Sequence, residues 1–334
     1  MSHVLNLYNT VRDSNYKQEE LISVIVVSYN SSNYILDTLN SVKDQSYHAI
    51  ELIITDDGSK DDTIDKVKLW LENNDFKSNL KRLILVSSIQ NTGVSCNCNR
   101  GLSYAQGTFI KFIAGDDILT PDCISDNMRF IKDNQDSLVL TSQVEYINED
   151  GINTLTYDLI QEKMKLLSDA SPSQQYRELL YKGNYFLGCA YFIKRELLNS
   201  FGGFDETIRL VEDYPLFLKL TLHNIKIYYL PTVTVKYRLH PSSLSSISNT
   251  SDKAFHECFT KDMCTIYKKY RRNHIKKWTL KFDLSLDIFI KDTVITLGNK
   301  RIVYRVLRLI KLISPLTTIK LYLKIREKLV NFKF

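Results

Sequence analysis

Apolar segments alternate with helical patterns in the first third of the chain, and this alternation most constrains the fold. The apolar segments are rich in β-branched residues and lie at 21–28, 50–56, 80–88 and 109–113. Such continuous runs are typical of parallel strands that are covered on both faces. The patterns between them predict helices at about 33–44, 61–73 and within 91–107. The sequence therefore predicts an α/β fold with a doubly wound, mostly parallel sheet.

Polar residues follow three of these predicted strands directly, where open α/β sheets bind ligands. They are Ser28, Asp56, Asp57, Asp116 and Asp117. Adjacent carboxylates repel one another unless a cation lies between them. Mg²⁺ and Mn²⁺ use one or two carboxylates together with substrate phosphate oxygens, so the Asp116–Asp117 pair predicts a metal shared with a diphosphate. The alternative is an acidic β-turn in which Asp117 caps the next helix.

The loop after the first strand, SYNSSN (28–33), contains no glycine. It therefore lacks the GxGxxG pattern of dinucleotide-binding folds, and the chain also lacks the GxxxxGK[ST] phosphate loop. A nucleotide at this edge of the sheet is expected to be held through a metal and through side chains.

The chain resembles the family 2 glycosyltransferases of bacterial polysaccharide synthesis, the enzymes of O-antigen and capsule assembly. The resemblance is carried by ISVIVVSYNSSNYILDTLNSV (22–42), IELIITDDGSKDDT (50–63), NTGVSCNCNRGLSYAQGTFIKFIAGDD (91–117) and FDETIRLVEDYPLFLKL (204–220). It covers about residues 21–240. It implies a GT-A fold, a UDP-sugar donor, a divalent metal (Mn²⁺ or Mg²⁺) and inversion at the anomeric carbon.

The resemblance also implies roles for individual residues on the nucleotide side. Ser28 would line the nucleotide pocket, Asp116 would lie near the ribose, and Asp56 would accept the N3–H of uracil, as a carboxylate can. The remaining expected nucleotide-sugar contacts are Asp57, Asn91, Asn99 and Arg100. The expected metal ligands are Asp117, Asp116 and His240, with Asp117 as an acid at the rim that holds no core together.

On the acceptor side, Asp213 matches the family's catalytic base, and Glu212 is expected to orient the acceptor or to raise the pKa of that base through like charge. Without the resemblance, both acids would be interpreted as partners of a helix dipole. His240 lies in a turn where it could equally be a surface residue. Arg238 is a second candidate for the diphosphate.

Two positions depart from the family pattern. Ala114 stands where the family commonly has an acid two residues before Asp116, and Cys98 stands where it commonly has an arginine before Asn99. Arg100 is one position later, and the sequence leaves open whether it reaches the diphosphate.

The expected function is metal-dependent, inverting transfer of a hexosyl residue from a UDP-sugar to a lipid-linked saccharide acceptor in surface polysaccharide synthesis. One alternative is a sugar-phosphate nucleotidyltransferase, which would need a glycine-rich basic loop after the first strand. The other is an inactive paralogue that acts as an assembly subunit, against which Asp56, Asp116, Asp117 and Asp213 argue together.

The chain is divided into an N-terminal arm (1–20), a transferase domain (21–240) and a basic helical region (241–334). Within the domain, 21–120 is the expected nucleotide-sugar half and 121–240 the acceptor half, with 151–175 as a polar connection. The opening residues are too polar for a signal peptide, and no eighteen apolar residues run together. We therefore expect a cytoplasmic protein on the inner face of the membrane, with its six cysteines as thiols.

The charge of the chain is strongly asymmetric. Residues 261–334 contain 19 Lys and Arg against 5 Asp and Glu, whereas residues 1–260 contain 25 against 33. In 300–313 an apolar stripe opposes a basic face, which is typical of a helix on an anionic membrane surface. A helix packed on the domain or in a homodimer is the alternative, and no nucleic-acid partner is expected because the ligand edge is acidic.

Removing residues 300–334 is expected to abolish binding to anionic vesicles. Each basic residue near an anionic bilayer contributes about 1 kcal/mol, and this attraction is screened over about 8 Å at physiological salt. Sedimentation of the full-length and shortened proteins with anionic and with neutral vesicles measures the effect. Equal, negligible binding in all four combinations would instead assign the tail to packing or dimerisation.

Overall fold

The structure, a computed structural model, describes most of the chain. The described residues are 4–11, 19–74, 80–155, 158–240 and 253–276, with Trp278, Lys281, Phe282 and Leu286. The chain divides into two compact units, Met1–Ser251 and Asp252–Phe334. The amphipathic helix expected at 300–313 lies outside the described residues.

The first unit alternates strands and helices, as the sequence predicts. Its strands are β1 (Val4–Val11), β2 (Ile22–Ser28), β3 (Ile50–Asp56), β4 (Leu80–Ser88), β5 (Phe109–Ala114), β6 (Ile118–Leu119), β7 (Val139–Ile147), β8 (Asn153–Leu155), β9 (Tyr191–Lys194) and β10 (Ile227–Arg238). Its helices are α1 (Ile35–Lys43), α2 (Thr63–Asn73), α3 (Val94–Leu102), α4 (Cys123–Asp133), α5 (Asp158–Asp169), α6 (Pro172–Lys182), α7 (Arg195–Ser200) and α8 (Asp213–Leu222).

The described strands form one mixed sheet in the order β1-β4-β3-β2-β5-β9-β7-β10-β6, with β8 beside β7. The run β4-β3-β2-β5 is parallel, as is the pair β7 and β10. Strands β1, β6, β8 and β9 pair antiparallel. The predicted α/β fold class is confirmed, and β1, inside the expected N-terminal arm, extends the sheet beyond β4.

The core forms where helices cover the central parallel strands. All seven residues of β3 are buried, and β2 has no exposed residue. On α1, Ile35, Leu39 and Val42 are fully buried, as the helical pattern predicts. Burying each such side chain contributes about 1.5–3 kcal/mol, so the sheet and its helices stabilise one another.

The expected polar connection at 151–175 is largely helical, which corrects the sequence analysis. Helix α6 begins with Ser171, whose side chain accepts a hydrogen bond from the backbone N–H of Gln174 in a capping box. Gln175 is buried, and its Nε2 donates to the backbone oxygens of Leu167 (2.8 Å) and Ile227 (2.7 Å). The Gln175 side chain thereby joins α5 and α6 to the start of β10.

Strand register assembles the candidate site at the carboxyl edge of the sheet. Asp56 at the end of β3 is opposite Ser28 of β2 and opposite Ser87 of β4. Ala114 at the end of β5 is opposite Val27. Because parallel strands end at the same edge, the polar residues that follow them are brought together there.

The second unit contains α9 (Lys253–Ile266), which continues into a π-helical turn at Tyr267–Arg271. Ile266 and Tyr267 are buried, and the Tyr267 hydroxyl donates to the backbone oxygen of Lys281 (3.1 Å). In the described part of the chain, every helix is too short or too polar to cross a membrane.

Candidate active site

Asp56 is the most heavily hydrogen-bonded acid at the sheet edge. Its Oδ1 accepts from the backbone N–H of Gly58 (3.0 Å) and Ser59 (2.9 Å) and from the Ser87 hydroxyl (3.0 Å). Its Oδ2 accepts from the hydroxyls of Ser28 (3.3 Å) and Ser59. A carboxylate offers about four lone-pair positions, so a uracil N3–H would have to replace one of these donors.

The buried Asp57 and the Arg100 side chain form hydrogen bonds to the loop before α3. Asp57 accepts from the backbone N–H of Thr92 (2.8 Å) and Gly93 (2.7 Å) and from Nη2 of Arg100 (3.2 Å). Nη1 of Arg100 donates to Oδ1 of Asn97 (2.6 Å). The Arg100 side chain is only 7% exposed. The sequence leaves open whether Arg100 contacts a diphosphate, and the structure directs it inward.

Asn91 and Asn99 contact the segment that begins at Phe204. Nδ2 of Asn99 donates to the backbone oxygen of Phe204 (2.9 Å) and to Oε1 of Glu206 (2.9 Å). Oδ1 of Asn91 accepts from Nη2 of Arg209 (2.6 Å). These two residues, expected to contact the nucleotide sugar, therefore fasten the nucleotide half to the acceptor half.

Asp117 is buried, which corrects the expectation of a rim acid that holds no core together. It is 1% exposed, and its Oδ1 accepts from the backbone N–H of Arg238 (2.9 Å). Its backbone oxygen accepts from the Thr38 hydroxyl (2.7 Å). Burial, and next the Asp116 charge, raises the pKa of Asp117 well above its usual range. Asp117 anchors the end of β10 and α1 to the turn after β5.

Asp116 is the more accessible of the two adjacent acids, and it contacts the buried His240. Oδ2 of Asp116 lies 2.9 Å from Nε2 of His240, and the Asp116 side chain is 25% exposed. The His240 ring packs against Tyr34, with 4.6 Å between ring centroids. The structure therefore pairs Asp116 with His240, whereas Asp117 is buried, and of the two acids only Asp116 has an accessible carboxylate.

Arg238 faces inward and supports this cluster. Its Nε donates to the backbone oxygen of Asp116 (2.9 Å), its Nη1 to that of Glu149 (2.6 Å) and its Nη2 to Oδ2 of Asp37 (2.9 Å). The guanidinium lies over the Tyr34 ring, 4.8 Å from its centroid. With all three nitrogens engaged and the residue buried, Arg238 is a structural cation.

The cluster fits a divalent cation that takes further ligands from a substrate. Among the described residues, no group of three or more His, Cys, Asp and Glu side chains is placed so that it could hold a metal ion by itself. Oδ2 of Asp117 is buried without a hydrogen-bond partner in this part of the chain, next to the Asp116–His240 pair. Carboxylate and imidazole are donors for Mg²⁺ or Mn²⁺, which usually keep positions for phosphate and water.

Asp213 opens α8 and lies at the other half of the site, beside Glu212 at the N-cap. Oδ2 of Asp213 accepts from Nδ2 of Asn184 (3.0 Å). Burial, rather than the expected like charge of Glu212, is the largest cause that raises the pKa of Asp213 to about 6. A Cβ at Gly188 would lie 3.1 Å from Oε1 of Glu212 and 3.4 Å from Oδ2 of Asp213, so glycine leaves room for both acids.

Two functional positions were missed by the sequence analysis. Asn97 is buried, and its Nδ2 donates to the backbone oxygens of Ser28 (3.1 Å) and Thr55 (3.3 Å), which joins α3 to two strand ends. Asn184 contacts Asp213 across 29 positions of sequence. Neither belongs to a local pattern, although the NxGxxxxxN segment surrounds Asn97.

The six cysteines, all within the described part of the chain, form no disulfide bond with one another. Cys98 is buried in α3, and burial followed by the charges of Glu212 and Asp213 raises its pKa well above the usual range. Cys98 is therefore held as a neutral thiol beside the acids of α8.

The mixed sheet and its covering helices form a GT-A fold. Solved structures share this fold with the chain at low sequence identity. S. aureus TarS 1–349 in complex with UDP-GlcNAc matches with a TM-score of 0.55 and 22% identity, over 81% of this chain and 72% of that one. The Pyrobaculum calidifontis mannosyltransferase PcManGT, in complex with GDP-Man and Mn²⁺, matches with a TM-score of 0.57 and 18% identity, over 82% and 70%.

The chain belongs to Glycosyl transferase family 2, whose profile matches residues 23–202, more than half of the sequence. An uncharacterized glycosyltransferase of Rickettsia prowazekii is 28% identical over 235 residues, 68% of this chain. The match spans 66% of that relative's length, just under two thirds. The family resemblance found in the sequence is confirmed.

The Asp213 carboxyl is expected to titrate near pH 6, and Asn184→Ala should move this midpoint upward because the Asn184 hydrogen bond lowers the pKa. The folded pKa exceeds the unfolded value of 3.8, so stability should decrease as pH rises from about 4 to 6. Carboxyl ¹³C NMR and unfolding at several pH values measure both effects. Asp213→Asn serves as control, and an unchanged pH dependence in that variant would contradict the assignment.

Proposed function

We propose that this protein is an inverting, metal-dependent glycosyltransferase that moves a hexosyl residue from a UDP-sugar to a saccharide acceptor. The observation that carries the proposal is the pairing of two unlike acid sites. Asp116 with His240 suits a cation and a diphosphate, and Asp213, with a pKa of about 6, suits proton transfer. Membership of family 2 supports the same chemistry.

A UDP-sugar is the proposed donor. TarS is solved with UDP-GlcNAc, and PcManGT is solved with GDP-Man, so both structural relatives bind nucleoside-diphosphate sugars. In this chain Asp56 is the candidate for the uracil N3–H, with Ser28 and Ser59 as the hydroxyls that a base would displace from it. Asp57, which follows Asp56 in the sequence, pairs with Arg100 next to this position.

Asp116 and His240 are the proposed direct ligands of Mn²⁺ or Mg²⁺. The buried Asp117 would hold the end of β10 beside them through its hydrogen bond to the backbone N–H of Arg238. Such an ion would stabilise the charge that develops on the departing diphosphate. Mn²⁺ accompanies GDP-Man in PcManGT, which supports this choice. Asp116 is also the candidate for the ribose, because its carboxylate is the accessible one of the pair.

Asp213 is the proposed general base. The acceptor hydroxyl must lose a proton as it attacks the anomeric carbon from the face opposite the diphosphate, and Asp213 would take it. A pKa of about 6 keeps the carboxylate ionised near neutral pH while making it a stronger base than a solvated aspartate. Asn184 would hold its orientation, and Glu212 would contact the acceptor beside Gly188.

A lipid-linked saccharide in surface-polysaccharide assembly, such as O-antigen or capsule, is the proposed acceptor. The excess of basic residues in 261–334 supports attachment to an anionic membrane on its inner face. A nucleotidyltransferase is disfavoured by family 2 membership and by the glycine-free loop at 28–33.

Asp213→Asn is expected to reduce kcat by on the order of 10²-fold or more, with UDP affinity nearly unchanged. The loss follows because an amide cannot accept the proton, although it keeps the size of the side chain. UDP release from a panel of UDP-sugars with a lipid-linked acceptor measures kcat, and calorimetry measures UDP binding. A variant that keeps kcat but binds acceptor poorly would make Asp213 a positioning residue instead.

Asp116→Asn is expected to abolish transfer and the Mn²⁺ dependence of UDP binding, with little loss of stability because the side chain is partly exposed. Asp117→Ala should lower the melting temperature as well, since it removes the oxygen that accepts from the backbone N–H of Arg238. The matched control is Asp65→Asn, an exposed acid of α2. Wild-type activity that survives EDTA, or a near-normal rate in Asp116→Asn, would refute the metal assignment.

A further inference from the structure

Lys111 is a fully buried lysine in the middle of β5. It shares a face of the strand with Phe109 and Ile113, two residues away on either side, which belong to the main apolar core. Its Nζ donates to the backbone oxygen of Cys189 (2.8 Å). The Lys111 ammonium has three N–H donors, and within the described residues it makes only this one hydrogen bond.

A buried ammonium with one hydrogen bond costs the fold free energy, because it has lost its water without full replacement. Burial lowers the pKa of Lys111, and the Asp117 charge opposes this change. Methionine would fill nearly the same space without a charge. The stability of the core therefore gives no reason for a lysine here, and such local conflicts are expected at functional positions.

The hydrogen bond of Lys111 leads to the candidate base. Cys189 lies near the end of the segment 184–190, which joins α6 to β9. At its start, Asn184 donates to Asp213 (3.0 Å), and Gly188 packs against the Glu212 and Asp213 carboxylates. Within the segment, the backbone N–H of Ala190 donates to the backbone oxygen of Leu187 (3.0 Å), which forms a turn.

Lys111 also acts electrostatically on the acidic turn that follows its own strand. The ammonium charge opposes the rise that burial causes in the pKa of Asp117. Lys111 thus interacts with Asp117, which follows the proposed metal ligand Asp116, and with the segment 184–190, which contacts the proposed base Asp213.

We infer that Lys111 is a positioning residue, which fixes the segment 184–190 through the Cys189 carbonyl and thereby holds Asn184 and Gly188 against Asp213. The inference rests on the proposed function for what Asp213 does, whereas the contact itself stands on the geometry. Lys111 reaches neither acceptor nor donor, because it is covered on all sides.

The test is Lys111→Met in the full-length protein, compared with Val67→Ala. Val67 is a fully buried core residue of α2, away from this segment, and its truncation should lower the melting temperature while leaving kcat unchanged. Lys111→Met should melt close to the wild-type temperature, because removing the buried charge offsets the loss of the hydrogen bond to the Cys189 carbonyl. Its kcat should nevertheless fall by at least about tenfold, since small misplacements of catalytic groups are costly.

Amide hydrogen exchange provides a readout that does not need activity. In Lys111→Met the amides of 186–190 should exchange on the order of tenfold faster than in the wild type, with β2 and β3 unchanged. Unchanged exchange, an unchanged kcat, or a fall in kcat matched by a fall in melting temperature would overturn the inference. If the wild type transfers no sugar, the proposed function fails, and the exchange result still decides whether Lys111 holds the segment.

Discussion

Buried carboxylates have to be met by donors, and this requirement shapes the whole ligand edge of the sheet. Asp56 accepts from backbone amides and hydroxyls, Asp57 from Arg100 and the loop at Thr92, and Oδ1 of Asp117 from the backbone N–H of Arg238. Each of these contacts joins strand ends or loops that are distant in sequence. The acids thus organise the edge before any ligand arrives, because an unmet buried carboxylate would cost several kcal/mol.

The same requirement separates structural acids from those available for chemistry. Asp56, Asp57 and Asp117 are buried at 0–2% exposure, and internal donors occupy most of their oxygens. The Asp116 side chain is 25% exposed, and Asp116 and Asp213 each have one hydrogen-bonded side chain, His240 and Asn184. Reactive groups are held by few contacts and are oriented by neighbours that are themselves fixed, which is how preorganised sites are built.

Contacts between the two halves of the first unit fix the segments that carry Asp116 and Asp213. Asn99 fastens α3 to the Phe204 segment, and Arg238 fastens β10 to the turn after β5. Lys111 adds a buried link between β5 and the segment before β9. Residues without reactive roles therefore determine where the reactive ones lie.

The sequence by itself determined the alternating strands and helices, the acids that end β3 and β5, and the family. These follow from local hydrophobic periodicity and from short motifs, which need no knowledge of distant contacts. Only the tertiary structure decided that the 151–175 region is helical, that Asp117 is an anchor, and that Arg100 and Arg238 face inward. It also placed Asn184 on Asp213 and Lys111 beneath the site. Burial and hydrogen-bond partners depend on packing between segments far apart in the chain, and for that reason no local pattern could assign them.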